Sequence, residues 1–262
     1  MINPTNEKVF LKVDNIAKHF GGVKAVDGVS FEVLHGEILG LIGPNGAGKT
    51  TTFNLASGAL RLTFGSVFLD GIRIDGTRPD LIANYGVART FQGTRVFPQL
   101  TVRENLETAL LARAKIGFWN DWFNMKLARA LHAGIGVEVD RVLDTVGLKI
   151  YADRVADDLP FALRSLLGIA LALAMSPRLL LLDEPFAGMD PNETAAAADM
   201  VRDIRDSGVT VLLVEHDMSA VMNICDRIVV LDQGRKIAEG LPAEIRADAL
   251  VIEAYLGSDE DA

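Results

Sequence analysis

The sequence has little cysteine, no long apolar run and no surplus of basic residues. Its single cysteine, Cys225, excludes an intrachain disulfide framework. The longest apolar stretch, residues 165–176, is bounded by Arg164 and Pro177 and falls short of the roughly 20 residues that span a bilayer. Residues 1–8 lack the basic segment and apolar core of a signal peptide. We therefore expect a cytoplasmic protein, and if it works at a membrane, we expect other chains to cross that membrane.

The charge balance argues against a broad nucleic-acid surface. Lys and Arg number 26 against 35 Asp and Glu, which gives a formal net charge of −9. Contact with a phosphate backbone requires the opposite, a surplus of positive side chains. Hydrophobic residues make up 49% of the 262 positions, enough for the interior of one large α/β domain. We expect a single domain over residues 1–262 with a solvated acidic tail at 258–262.

A glycine-rich segment lies between a predicted strand and a predicted helix. Residues 43–50 read Gly-Pro-Asn-Gly-Ala-Gly-Lys-Thr, after the apolar run Ile38–Ile42 and before a long helix predicted to begin with residues 49–57. Glycines let backbone N–H groups approach phosphate oxygens, and the helix directs its positive end at the same anion. Lys49 is suited to bridge the β- and γ-phosphates of a nucleoside triphosphate, and Thr50 is suited to ligate Mg²⁺. The alternative, a chance match on a surface loop, is disfavoured by the strand and helix around it.

Strand and helix patterns alternate along most of the chain and predict an α/β fold. A largely helical block at about 102–175 interrupts the alternation, and we predict a helical subdomain at about 94–175. The other predicted elements are strands at 9–13, 29–33, 38–42, 87–91, 179–182 and 210–214, a strand and turn at 65–71, the long helix that begins with 49–57, and a helix at about 192–207.

A second set of polar residues follows a strand late in the chain. The four leucines 179–182 describe a strand buried on both faces, which brings Asp183 and Glu184 to the carboxyl edge of a parallel sheet, where ligands of such sheets bind. Asp183 suits Mg²⁺, and Glu184 can accept the proton of an attacking water. Pro185 ends the strand at the site. His216 ends the next strand, where its imidazole can donate to the γ-phosphate; the alternative is a surface or capped histidine.

These segments occur in the order and approximate spacing of the ATP-binding cassette of ABC transporters, which the sequence resembles over nearly its whole length. The resemblance rests on Phe20, the loop 43–50, Gln92, residues 182–185 and 187–190, and His216. The stretches 89–92, 215–218 and 251–257, with the long helical insert, are most similar to ATPase subunits of branched-chain amino acid importers. The resemblance implies a P-loop NTPase fold of the ABC ATPase type, in which a central, mostly parallel sheet is joined by an antiparallel β element and the helical subdomain.

The resemblance also implies roles for individual residues. Phe20 is expected to stack on adenine, and the alternative for this residue is a buried ring at a strand end. Gln92 is expected to contact Mg²⁺ and the attacking water, and Asp190 to link the two sites of a dimer. The predicted ATP-binding residues are Phe20, Gly43, Pro44, Asn45, Gly46, Ala47, Gly48, Lys49, Thr50, Thr51 and Asp183; the predicted catalytic residues are Glu184, His216 and Gln92; and the predicted Mg²⁺ ligands are Thr50, Gln92 and Asp183.

One motif departs from the family. Its signature, Leu-Ser-Gly-Gly-Gln or Leu-Pro-Tyr-Gly-Gln, aligns with Leu-Pro-Phe-Ala-Leu at 159–163, so that Ala162 replaces a glycine and Leu163 replaces a glutamine. In the family this segment binds the γ-phosphate held by the opposite subunit. A methyl group at 162 crowds that approach and Leu163 lacks the amide, which predicts a heterodimer with a second ATPase subunit and two unequal sites.

The resemblance implies the motor of a multisubunit importer, at the cytoplasmic face of the cell membrane, with branched-chain amino acids as the expected cargo. Its expected partners are a second ATPase subunit, transmembrane permease subunits and, indirectly, a substrate-binding protein outside the membrane. The aromatic residues Phe118, Trp119, Trp122 and Phe123 are predicted either to receive a permease helix or to pack within the insert.

Three other interpretations stay open. The first is an importer of another small polar solute. The second is an ATP-gated scaffold without transport, which the altered signature favours and which loss of association with membrane chains would support. An ABC-type nucleic-acid protein is disfavoured by the acidic charge and by the lack of a long coiled coil between the phosphate loop and Asp183.

Overall fold

The computed structural model describes residues 8–90, 96–113 and 125–256, with the side chains of 125–133 left aside. The chain divides into two compact units. The first takes its residues from Met1–Arg89, Arg178–Glu184 and Val201–Ala262, and the second from Thr90–Pro177 and Pro185–Met200. No helix in the described ranges is long and apolar enough to cross a membrane.

The described elements alternate between strands and helices at both ends of the chain and are helical in between. The strands are β1 (Val9–Phe20), β2 (Val23–Leu34), β3 (Ile38–Ile42), β4 (Phe64–Leu69), β5 (Ile72–Arg73), β6 (Val87–Arg89), β7 (Leu179–Asp183), β8 (Thr210–Val214), β9 (Arg227–Asp232) and β10 (Arg235–Gly240). The helices are α1 (Lys49–Ala56), α2 (Pro79–Ala83), α3 (Val102–Arg113), α4 (Met125–Thr145), α5 (Phe161–Ala174), α6 (Pro191–Asp206), α7 (Met218–Ile224), α8 (Pro242–Ala247) and α9 (Ala249–Leu256), with short 3₁₀ turns at Lys149–Tyr151 and Ala156–Asp158.

A six-stranded sheet forms the centre of the first unit, in the order β10-β9-β3-β8-β7-β6. Its strands pair in parallel except for β10, which is antiparallel to β9. Every residue of β3, β7 and β8 is buried. These strands are continuous apolar runs rather than alternating patterns, because a parallel sheet is covered on both faces. The predicted mostly parallel sheet is confirmed.

A second sheet of the first unit is antiparallel, in the order β2-β1-β4-β5. Its inward residues, among them Phe10, Val13 and Phe31, belong to the same buried cluster as Leu39 and Leu41 of the central sheet. The two sheets therefore share one hydrophobic core. The antiparallel β element that the resemblance implies is present, and its two long strands extend well beyond the predicted segments 9–13 and 29–33.

The first helix is shorter than predicted. Helix α1 has eight residues and ends at Ala56, where Ser57 and Gly58 bond back to carbonyls of its last turn. Gly58 takes a positive φ of 70° there, as a glycine after a helix commonly does. The prediction of a long helix starting at residues 49–57 was wrong about its length because Gly58 terminates it.

The second unit is helical and has a buried amide at its centre. Asn105 of α3 is fully buried, and its side chain accepts from the N–H of Phe97 at 2.8 Å and donates to the carbonyl oxygens of Phe97, Leu100 and Thr101. Such a side chain holds the turn before α3 in place, since each buried polar group of the amide finds a partner. The helical subdomain stays a prediction in its bounds of 94–175, and the unit described here also takes in Pro185–Met200.

Candidate functional site

The strands of the central sheet bring the predicted polar residues to one edge. Strand β8 lies between β3 and β7, with Val214 opposite Leu41 on one side and opposite Asp183 on the other. The loop after β3, the carboxylates after β7 and the residues after β8 therefore leave the sheet at neighbouring positions. This is the carboxyl edge, the place where ligands of open α/β sheets bind.

The phosphate loop has a backbone that requires glycine at two positions. Gly43 has φ +150°, and a Cβ placed on it would lie 2.1 Å from the carbonyl oxygen of Leu231. Gly48, directly before α1, has φ +95°, and its Cβ would lie 2.5 Å from the carbonyl oxygen of Ala25. These contacts are with backbone atoms that cannot turn aside, so any side chain would displace the loop.

Lys49 lies at the start of α1 with its ammonium group inside the loop. Its Nζ donates to the carbonyl oxygens of Gly43, at 2.7 Å, and Pro44, at 3.0 Å. Burial lowers the pKa of Lys49, and the charge of Glu184 opposes that change. The two carbonyl oxygens offer the buried ammonium only partial negative charge. A nearby anion, which offers a full negative charge, therefore stabilises the charged form of Lys49.

Asp183 ends β7 and is paired with an arginine. Its side chain is 2% exposed, and Nη2 of Arg89 donates to its Oδ2 at 3.2 Å. Burial raises the pKa of Asp183, and the charge and hydrogen bond of Arg89 lower it. The carboxylate is thus held at the sheet edge by a guanidinium from the end of the neighbouring strand, β6.

Glu184 follows with an unusual backbone. Its φ is +48°, which is uncommon for a residue with a side chain, and its N–H donates to the carbonyl oxygen of Val214 at 2.9 Å. The turn ends strand β7 directly after Asp183. Strain of this kind is often found at active sites, where the surrounding structure holds it.

His216 follows β8 and is exposed, with 61% of its side chain accessible. Its backbone N–H donates to Oε2 of Glu215 at 3.1 Å, and Glu215 itself is buried. Asp217 then caps α7, because its Oδ1 accepts from the N–H groups of Ser219 and Ala220. A cap and a buried carboxylate therefore fix the backbone on both sides of His216 and leave its imidazole accessible.

The other predicted ligand residues of the first unit differ in exposure, and Gly43, Pro44 and Ala47 of the loop are buried. Thr50 is exposed, Thr51 is partly buried, and Asn45 and Gly46 form the exposed tip of the loop. Phe20, at the end of β1, is 50% exposed, and the ammonium of Lys18 lies 5.1 Å from the centre of its ring. The alternative of a buried ring at a strand end is therefore wrong for Phe20.

Some predicted residues lie in the second unit or outside the described residues. Gln92 and the aromatic set Phe118, Trp119, Trp122 and Phe123 lie outside the described residues. In the second unit Ala162 is buried, with 8% exposure, while Phe161 is half exposed. The methyl group of Ala162 thus packs inward in this structure. Asp190 caps α6, since its Oδ1 accepts from the N–H groups of Asn192 and Glu193.

Two residues at this edge have no role in the motifs identified from the sequence. One is Arg89, whose partner Asp183 is 94 positions away. The other is Tyr255 on α9: burial raises the pKa of its hydroxyl to about 12, and the backbone of Gly43 bonds to that hydroxyl and opposes the rise. A usable signal for Arg89 was a cation at the end of an edge strand, directly before the segment of Gln92. Nothing local in the sequence links Tyr255 to the phosphate loop.

The residues of this edge fit a magnesium nucleotide. The loop after β3 leads into α1 at Lys49, Lys49 supplies a buried positive charge, and Thr50 and Asp183 supply the oxygen ligands that Mg²⁺ prefers. Among the described residues no cluster of three His, Cys, Asp or Glu side chains is placed to hold a metal by itself.

Comparisons with known proteins give a consistent result. Residues 26–187 match the model of the family described as ABC transporter, and residues 235–261 match the model of the branched-chain amino acid ATP-binding cassette transporter. The chain is 40% identical over 248 residues to the high-affinity branched-chain amino acid transport ATP-binding protein LivG of Salmonella typhimurium, covering 94% of this chain and 97% of LivG. It is equally similar to BraF of Pseudomonas aeruginosa, which has the same description.

A more distant relative and a solved structure extend the comparison. The lipopolysaccharide export system ATP-binding protein LptB of Escherichia coli is 33% identical over 95% of this chain and 98% of LptB. The crystal structure of a nucleotide-free ATP-binding cassette from an ABC transporter matches with a TM-score of 0.81 and 31% identity, over 94% of this chain and 98% of that one.

Proposed function

The chain belongs to the ABC transporter family of ATP-binding subunits, and on that premise we propose that it is the ATP-hydrolysing subunit of an importer for branched-chain amino acids. One observation carries the proposal for ATP hydrolysis. The phosphate loop, Asp183, Glu184 and His216 leave neighbouring strands at the same edge of one sheet. The name of the relatives at 40% identity and the match of residues 235–261 support the cargo.

The residues of the phosphate loop bind the triphosphate in this proposal. Lys49 exchanges the carbonyl oxygens of Gly43 and Pro44 for phosphate oxygens, which offer full negative charge. The backbone N–H groups of the loop add hydrogen bonds, and Phe20 presents its exposed ring face to the adenine. Thr50, Asp183 and Gln92 would hold Mg²⁺, which would supply positive charge that offsets the charge on the phosphates.

Hydrolysis depends on a proton acceptor and on a donor to the γ-phosphate. Glu184 accepts the proton of the attacking water, and it directly follows the buried Asp183 in a left-handed turn at the end of β7. His216 donates from an accessible imidazole next to a fixed backbone. His216 is exposed and Glu184 is partly buried, and the roles of both rest on the family motifs that they occupy.

The partners follow from the family. We propose that the chain works at the cytoplasmic face of the cell membrane with permease subunits and indirectly with a substrate-binding protein. The altered segment at 159–163 supports pairing with a second, different ATPase subunit, because two copies of this chain would place Ala162 and Leu163 in both sites. Asp190 and Gln92 would then communicate between subunits, as in the family.

The test is reconstitution with native partners. We expect the chain, purified with its permease chains and placed in lipid vesicles with the binding protein, to drive ATP-dependent uptake of leucine, isoleucine and valine. Lysine serves as the control cargo, since its charge is wrong for an apolar binding site. Copurification without uptake of any branched-chain amino acid would contradict the cargo, and failure to associate with membrane chains would favour the scaffold.

A further inference from the structure

Arg89 is the last residue of β6, and its guanidinium joins three elements of the first unit. Its Nη2 donates to Asp183 Oδ2 at 3.2 Å, and its Nη1 donates to Asn54 Oδ1 at 2.6 Å and to Ser57 Oγ at 3.0 Å. The guanidinium also lies over the ring of Phe53, 4.6 Å from the ring centre. Only 13% of the side chain is exposed, so these contacts are mostly shielded from water.

The elements that Arg89 joins are those that carry the nucleotide site. Asn54 lies in α1, the helix that starts at Lys49 of the phosphate loop, and Ser57 is its C-cap. The guanidinium therefore sits near the negative end of that helix, where a cation is favourable. Asp183 is at the end of β7. One side chain thus sets the distance between the phosphate-loop helix and the carboxylate assigned to Mg²⁺.

The chemistry of the contact requires arginine. A planar guanidinium has several donors in fixed directions and can bond to a carboxylate, an amide and a hydroxyl at once, whereas an ammonium is a compact point charge. The carboxylate of Asp183 is almost fully enclosed, and a buried charge is stable only when it is paired. Replacing Arg89 would remove the hydrogen bond and the positive charge that its guanidinium gives to the Asp183 carboxylate.

We propose that Arg89 is a positioning residue of the nucleotide site, which holds the Asp183 carboxylate in one orientation relative to the phosphate-loop helix and so sets the affinity of the site for Mg²⁺. This inference rests on the proposed function, since it requires that the site bind a magnesium nucleotide. It differs from the family roles given above, which assign Asp183 itself to the metal. Residues that orient a metal ligand typically change metal affinity by about 10- to 100-fold when replaced.

The test separates metal affinity from nucleotide affinity. We would measure binding of a non-hydrolysable ATP analogue to the wild type and to Arg89→Lys, first in EDTA and then with increasing Mg²⁺. The proposal predicts that Arg89→Lys binds the analogue in EDTA within about twofold of the wild type and needs about tenfold more Mg²⁺ to reach half of the magnesium effect. An unchanged magnesium midpoint would overturn it. Equal losses with and without magnesium would also overturn it, because Arg89 would then support the phosphate loop alone.

Arg178 provides a matched control. Its Nη2 donates to Asp70 Oδ2 at 2.9 Å, and its guanidinium lies 4.7 Å from the ring centre of Phe10, so it makes the same kinds of contact with an Asp and a Phe away from the site. Arg178→Lys should leave both affinities within about twofold. A magnesium midpoint that shifts equally in both variants would count against the proposal.

A second variant keeps the test decisive if Arg89→Lys does not fold. Asn54→Ala with Ser57→Ala removes the two contacts that orient the guanidinium and leaves the ion pair with Asp183. We expect the magnesium midpoint to rise at least about threefold while the EDTA affinity is kept, and no rise would refute the positioning role. If the wild type itself shows no magnesium-dependent binding of the analogue, the proposed function fails, which is a separate outcome.

Discussion

The shape of the phosphate loop can be tested with three single glycine-to-alanine changes. Gly43 combines φ +150° with a backbone atom 2.1 Å from the new Cβ; Gly46 has φ +79° and nothing within 4 Å; and Gly22 has open space and no positive φ. The series therefore adds one factor at a time: a methyl group alone, then a strained backbone, then strain with a clash.

The structure sets the size of each effect on the free energy of unfolding. Gly22→Ala should change it by no more than about 0.5 kcal/mol. Gly46→Ala adds the left-handed conformation, at about 1–2 kcal/mol. For Gly43→Ala, strain of about 1–3 kcal/mol joins an overpacking cost of about 1–3 kcal/mol, because the carbonyl of Leu231 belongs to the buried strand β9 and cannot move alone. We expect a total loss of about 3–5 kcal/mol.

Urea denaturation followed by circular dichroism measures these losses, and titration with an ATP analogue measures binding. Gly46 is at the exposed tip of the loop, so its alanine variant should lose at least about tenfold in nucleotide affinity with only a modest loss of stability. Gly43→Ala should lose both nucleotide affinity and stability, and Gly22→Ala should keep both. Equal denaturation midpoints for Gly43→Ala and Gly46→Ala would show that the contact with Leu231 is not a real constraint.

Three further predictions concern single sites. Lys49→Ala should weaken ATP binding by about 100-fold, because a charged hydrogen bond contributes about 1.5–3 kcal/mol, and calorimetry that finds less than a tenfold loss would contradict it. The double change Ala162→Gly with Leu163→Gln restores the family signature and should accelerate ATP hydrolysis at the partner's site. ATPase rates of the reconstituted pair, measured with each site disabled in turn, test this. Equal rates at the two sites, or no change on restoring the signature, would show that the altered signature has no catalytic effect. Cys225 is buried, and its pKa is raised well above the usual range, mainly by desolvation. It should therefore react with a thiol reagent at least about 100-fold more slowly in the native protein than in urea. Comparable reaction rates would place Cys225 at the surface.

The parts of the fold that the sequence predicts are those with local signals. The apolar runs at 38–42 and 210–214 are described as strands with the predicted bounds, because a strand buried on both faces reads as a continuous apolar segment. The long strands β1 and β2 are less visible. Their pairing contains several register shifts, and each shift interrupts the alternation by which an antiparallel strand is identified.

The candidate site divides in the same way. The loop 43–50 and the carboxylates Asp183 and Glu184 are adjacent to strong strand signals, so their place at the sheet edge follows from the sequence. The bond from Arg89 to Asp183 joins positions 94 apart and depends on strand order, which no local pattern records. The burial of Ala162 likewise depends on how α5 packs, which no local pattern in the sequence records.

The central claim is that ATP is hydrolysed at this site with Glu184 as the proton acceptor, and single-turnover hydrolysis by Glu184→Gln tests it most directly. The amide keeps the shape of the side chain and removes its basicity, so binding of magnesium ATP should stay within about threefold while hydrolysis falls by about 10²- to 10⁴-fold. Glu253→Gln, on an exposed position of α9, is the matched control and should hydrolyse ATP at the wild-type rate. Hydrolysis by Glu184→Gln at the wild-type rate would contradict the account.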